Sequence, residues 1–155
     1  MASEGFWVLI IRKGQALVPT QAKTEAGFYL GIEPIEVIDA RDRAGVEQAM
    51  LRAISRGNPP APTPSRDSYC AKTDPLLRRA KAKSYSAFEK GTKSWKLSKH
   101  ENAYFIVPYR PHEDGGAVED VKRTERISGE APIEEVVRRL VDRALGPDNR
   151  NAATS

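Results

Sequence analysis

Apolar and polar positions alternate in blocks that read as strands followed by an amphipathic helix, and the order occurs twice. Phe6–Arg12 (FWVLIIR) is a nearly continuous apolar run, the signature of a strand covered on both faces. Ala16–Thr20 pairs with it across a Lys13-Gly14-Gln15 turn, and Pro19, which has no N–H to donate, places that second strand at a sheet edge. Gly27–Ile32 and Pro34–Asp39 read as two further strands, with Ile35 and Val37 alternating around Glu36. Val46, Ala49, Met50, Ala53 and Ile54 then fall at helical spacing on one face. Asp42 is the N-cap, where its carboxylate accepts from the first-turn amides, and Gly57 is the stop.

Gly57–Arg66 (GNPPAPTPSR) is a proline-rich connector, stiff and extended because its prolines fix φ and remove donors. Beyond it, Asp74-Pro75 opens a short helix carrying Leu76, Leu77 and Ala80. Strands are expected at Tyr85–Lys90, Lys93–Ser98, Ala103–Arg110 and Val118–Ile127. His100-Glu101-Asn102 and Glu113-Asp114-Gly115-Gly116 form the turns between them. The last helix is the clearest element. Ile133, Val136, Val137, Leu140, Val141, Ala144 and Leu145 keep the 3.6 period, Pro132 opens it and Gly146-Pro147 ends it. Glu134 and Glu135 sit at its positive end and Arg143 at its negative end.

These elements predict an α+β fold, a largely antiparallel sheet packed against two amphipathic helices plus a short one. One domain spans 1–147, its halves 5–57 and 67–147 joined by the connector at 58–66, and 148–155 forms a frayed tail. Val46–Ile54 aligns without gaps on Ile133–Val141, so the halves read either as a degenerate duplication or as two amphipathic helices that look alike.

The 155 residues are enough to bury a core without a metal or disulfide, and the single Cys70 supplies neither an internal disulfide nor a Cys-rich zinc site. The Phe6–Ile11 run is too short to span a bilayer, and Glu4 precedes it where a signal peptide carries positive charge; a cytoplasmic protein is expected. The chemistry of a self-contained active site is missing. There is no phosphate-cradling GxxxxGK[ST], no dinucleotide GxGxxG, no HExxH and no nucleophile elbow. His100 and His112 are the two imidazoles that could run acid–base cleavage, but both lie in predicted turns beside Glu101 and Glu113. Cys70 has no strong base among its neighbours. No enzyme activity, cofactor or metal is expected.

Charge is unevenly placed. The net charge is +4, yet Lys72–Lys99 alone holds nine Lys/Arg against Asp74 and Glu89, which leaves the remainder slightly acidic. Tyr85, Phe88 and Trp95 interleave with these lysines and arginines. The 72–99 segment is therefore a solvated face, a surface for an acidic protein, or a nucleic-acid module in which lysines grip phosphates and rings stack on bases. Acidic residues cluster too: Glu33, Glu36 and Asp39 in one strand region, and Glu113, Asp114, Glu119 and Asp120 in another. Such groups suit either a solvated turn or steering toward a basic partner.

At FWVLIIRKGQALVPTQ (Phe6–Gln21) and GFYLGIEPIEVID (Gly27–Asp39), and again at SWKLSKHENAYFIVPYR (Ser94–Arg110), the chain resembles immunity proteins of bacterial contact-dependent growth inhibition systems. The resemblance is one of size, strand-rich make-up and lack of catalytic motif. It implies a cytoplasmic protein that binds the C-terminal toxin domain of a partner, often a nuclease, and blocks its active site. On that reading Trp95, Tyr109 and Arg110 are the candidate anchors, and Glu36, Asp39, Glu113, Asp114, Glu119 and Asp120 the steering charges. The basic overall charge departs from the acidic character expected of a nuclease inhibitor.

Overall fold

A computed structural model describes residues 4–65, 74–111 and 117–146. Strands β1 (Gly5–Arg12), β2 (Gln15–Thr24), β3 (Tyr29–Asp39), β4 (Pro60–Ala61), β5 (Thr92–His100), β6 (Ala103–Pro111), β7 (Ala117–Glu119) and β8 (Glu125–Ser128) form one sheet. The helices are α1 (Arg43–Arg56), α2 (Pro75–Ala80), α3 (Tyr85–Glu89) and α4 (Ile133–Leu145), so the fold is α+β. The main path of the sheet runs β3-β2-β1-β5-β6-β7, and every pairing along it is antiparallel. β6 is shared: Ala103–Ile106 pairs with β8 and Tyr109–Pro111 with β7.

Alternation along β1 sends Trp7 and Leu9 to one face and Val8 and Ile10 to the other. The first face joins Ala16, Val18, Leu97 and Ile106 under α1 and α4. Val46, Ala49, Met50 and Ala53 of α1 and Val136, Val137, Leu140 and Val141 of α4 are buried there. α1 and α4, the two helices that align in sequence, pack against each other, and Arg43 ties one end of the pair by bonding Asp142 at 2.6 Å and the Gly146 carbonyl. The second face is covered by α2 and α3, whose Ala80, Leu76 and Phe88 pack on Ile10, Leu17 and Val8.

Several expected elements change form, each for a local reason. β2 lies inside the sheet between β3 and β1, not at an edge. Pro19 is accommodated because the β2–β3 register shifts between Pro19 and Thr20, so that Glu33 and Pro34 bulge out opposite them. The two strands expected on either side of Glu33 are thus one strand, β3. β1 and β2 pair only from Ile10 to Arg12 and then splay. Asn58 fills the split: its amide donates to the Phe6 and Gln21 carbonyls at 2.7 and 2.9 Å and accepts from the Phe6 N–H at 3.1 Å. β4 then runs parallel to Lys23 and Thr24, so the connector is built into the sheet.

Tyr85–Lys90, expected as a strand, is the helix α3, because Ser84 caps it by accepting from the Ala87 N–H at 3.1 Å. Val118–Ile127 is broken into β7, a 3-10 turn at Val121–Arg123, and β8. Val118 and Val121 are three apart, out of phase for a strand, and Val121 is 72% exposed. The His100–Ala103 hairpin forms as expected, with Glu101 and Asn102 both left-handed (φ 52° and 61°).

Candidate functional site

A broad concavity opens on the second face of the sheet and continues past the start of β5, and its shape follows from how α2 and α3 are fastened. Arg12 ends β1 with its side chain buried on this face, donating to the Ala80 carbonyl at 2.9 Å and the Ala87 carbonyl at 3.4 Å. Its guanidinium lies 5.7 Å from the Phe88 ring centroid. A cation at the carbonyl end of a short helix satisfies acceptors that the helix cannot satisfy itself. Asp74 caps the start of α2 and accepts from the Tyr85 hydroxyl at 3.0 Å, which joins the two helices. Arg79 pairs with Glu33 at 2.9 Å, bracing α2 against β3 and holding the Glu33 carboxyl below its ordinary pKa.

Held this way, α2 and α3 cover only part of the face. Beside them runs an open groove of about 1240 Å³. Its apolar lining includes Val8, Ile10, Leu30 and Leu76, and Phe6 stacks on Tyr29 with centroids 4.4 Å apart. Past the start of β5 and the end of β6 the lining turns polar, with Lys93, Tyr109, Arg110, Asp120, Arg123 and Arg143, and by register Lys93 and Arg110 stand on the α4 face of the sheet beside Trp95. Lys93, Arg110 and Arg123 are exposed and lack an acidic partner among the described residues, whereas Arg143 pairs with Glu125 at 3.4 Å.

Four of the expected site residues line this groove: Trp95, Tyr109, Arg110 and Asp120. Tyr109 is half-buried, and desolvation, with the Glu119 carboxylate opposite it across the β6–β7 ladder, pushes its phenol up to about 12. Glu119 itself bonds Lys96. Trp95 is 9% exposed and packs mainly in the core under α4, which leaves little of it at the groove. The other expected residues lie elsewhere. Glu36 turns toward α1, where Arg52 grips it at 2.6 Å and Arg56 approaches at 3.8 Å. Asp39 sits at the end of β3 in an exposed pair with Arg41, whose hydrogen bonds lower its carboxyl to about 2. Glu113 and Asp114, like His112 and Cys70, lie outside the described residues.

Fold counterparts exist among solved structures. No protein-family model and no curated protein matches the sequence. A protein of unknown function from Neisseria meningitidis superposes with a TM-score of 0.60 at 14% identity, over 89% of this chain and 92% of that one. A chain of the CdiA-CT/CdiI toxin and immunity complex from Yersinia pseudotuberculosis superposes with a TM-score of 0.59 at 13% identity, over 94% of this chain and 98% of that one. Both likenesses concern the fold.

The basic segment is not one continuous face. Arg79 and Lys96 are ion-paired, Lys96 also lies 6.0 Å from the Phe6 ring, and Lys99 lies 5.2 Å from Tyr104. Its aromatics turn inward: Tyr85 to Asp74, Phe88 to Arg12, Trp95 to the core. His100 stacks on Phe105 at 4.4 Å. Among the described residues no group of His, Cys, Asp and Glu is arranged to hold a metal ion, and no helix is long and apolar enough to cross a membrane.

Arg12, Asn58 and Arg123 shape the groove and its surroundings but did not stand out in the sequence. Arg12 had a signal: it continues the Val8–Ile10 alternation, so its side chain had to point inward. Arg123 was hidden inside an expected strand.

Proposed function

We propose that this chain is an immunity protein that binds a cognate bacterial toxin domain in the cytoplasm and neutralises it by covering the toxin's active site. The observation that carries the reading is the fold likeness, along nearly the full length of both chains, to a chain of a solved toxin and immunity complex. The open groove supports it. Half-buried apolar side chains beside a polar end with Tyr109 and Arg110 are the make-up of a protein-binding surface, in which a few aromatic and arginine anchors sit within a polar rim. The chain acts by binding rather than by catalysis on this reading, with no cofactor. A toxin must be silenced at low concentration, and a nanomolar complex corresponds to about 12 kcal/mol.

The test is co-expression with the C-terminal domain of any large exported protein encoded beside its gene. Growth should be restored only when both are present, and the two should co-elute as a 1:1 complex on size exclusion. Continued toxicity with no complex would remove the reading.

A further inference from the structure

Apart from Asp120, the charges left unpaired at the groove have the opposite sign to those expected to steer the partner. Of the expected acidic groups, Glu36 is held by Arg52, Asp39 by Arg41 and Glu119 by Lys96. Among the described residues that line the groove, five are basic (Lys90, Lys93, Arg110, Arg123, Arg143) and three acidic (Asp74, Glu89, Asp120). Asp74 already caps α2 and Arg143 already pairs with Glu125. What remains is four exposed cations, Lys90, Lys93, Arg110 and Arg123, against the half-buried Asp120, and Lys93, Arg110 and Arg123 stand at the polar end.

We propose that the cation-lined end of this groove docks an acidic segment of the toxin domain, whose carboxylates meet Lys93, Arg110 and Arg123. The proposal rests on the immunity reading and adds the surface and the chemistry of its partner. Three like charges with no acidic partner among the described residues repel one another, and an anionic segment relieves that repulsion as it binds. Beside the cations the lining includes Pro108, Pro111 and Ala117, side chains that suit a peptide and offer no aromatic ring for a base to stack on. Phe6 is stacked on Tyr29, Phe88 lies beneath Arg12 and Tyr85 is bonded to Asp74, which leaves these rings engaged within the fold.

The experiment compares two triple charge reversals in the full chain, with the toxin domain above as the probe. One is Lys93→Glu/Arg110→Glu/Arg123→Glu. The control is Lys13→Glu/Lys23→Glu/Arg138→Glu, which changes net charge equally at exposed sites away from the polar end of the groove. Association kinetics at low and high salt should show the groove variant slowed by at least ~10-fold at low salt and the control within ~3-fold of wild type. Thermal melts check folding. Should the groove reversal melt early, Lys93→Ala/Arg110→Ala should slow association in the same direction. Equal rates for groove variant and control, with the wild-type complex intact, would overturn this proposal alone. Absence of any wild-type complex would overturn the immunity reading and this proposal with it. Binding of a short fluorescent single-stranded oligonucleotide that is lost in the groove variant, with toxin association unchanged, would assign the cations to phosphate and also overturn it.

Discussion

The Arg12 guanidinium donates to the Ala80 carbonyl at 2.9 Å, joining the end of β1 to the end of α2 across 68 residues of chain. Because Arg12 is buried and also reaches the Ala87 carbonyl, one side chain fixes both helices that wall the groove. Arg12→Leu keeps apolar bulk but leaves two carbonyls without their donor. It should lower stability by about 2 kcal/mol, read as a shift of the urea midpoint, and should speed hydrogen exchange at the Ala82 amide, which bonds the Leu77 carbonyl. An unchanged midpoint would show that α2 and α3 are held by packing alone.

Asn58→Ala should cost about 2–3 kcal/mol, because the Phe6 N–H and the Phe6 and Gln21 carbonyls lose a common partner where β1 and β2 splay. Asn58→Asp should be at least as damaging, since a carboxylate cannot donate to two carbonyls. If the Asp variant unfolds at the wild-type denaturant concentration, Asn58 is not what bridges the split.

Trp95→Ala should lower stability by about 3–5 kcal/mol through the cavity it leaves under α4. Under conditions where the variant stays folded, toxin affinity should hold. Circular dichroism melts and binding isotherms on one preparation separate the two effects. A large loss of affinity without loss of stability would return Trp95 to the interface.

Tyr109 should ionise near 12 rather than the ordinary 10, because it is half-buried and faces Glu119. The folded chain then keeps a proton that the unfolded chain has lost, so this group's contribution to stability is complete below about pH 10 and declines as pH rises toward 12. Ultraviolet titration of tyrosinate, compared with Tyr109→Phe, isolates the group. Glu119→Gln should move its midpoint down; a midpoint near 10 in the wild type would mean that Tyr109 is solvated.

Elements governed by local pattern were legible in the sequence. The α1 and α4 faces follow from apolar spacing, the α1 and α2 starts from Asp42 and Asp74, and the hairpin from the His100-Glu101-Asn102 turn. What could not be read was set by contacts distant in sequence. Pro19 signals an edge by its missing donor, yet a register shift in β3 lets it sit inside the sheet. Tyr85–Glu89 has strand-forming aromatics, but Ser84 and the pull of Arg12 on the Ala87 carbonyl make it a helix. The same division explains the site. Tyr109 and Arg110, expected as anchors, and Asp120, expected as a separate steering charge, come together only through the pairing of β6 with β7, which their separate stretches of sequence do not display. Glu36 and Asp39 were read as available because arginines 2 to 20 residues away, brought back by a turn and by α1, could not be seen from the strand alone.

The eight-residue β1–β5 ladder, from Gly5↔Lys99 to Arg12↔Thr92, sets the order in which the molecule can be completed. During synthesis Trp7 and Leu9 emerge some eighty residues before the strand that pairs with them, and α4, which closes the layer above, comes later still. Until then the early β-strands present an unpaired seam to the crowded cell. Nascent chains truncated before Thr92 should be the species that aggregate and recruit chaperones, and chains carried past Leu145 the first that can close.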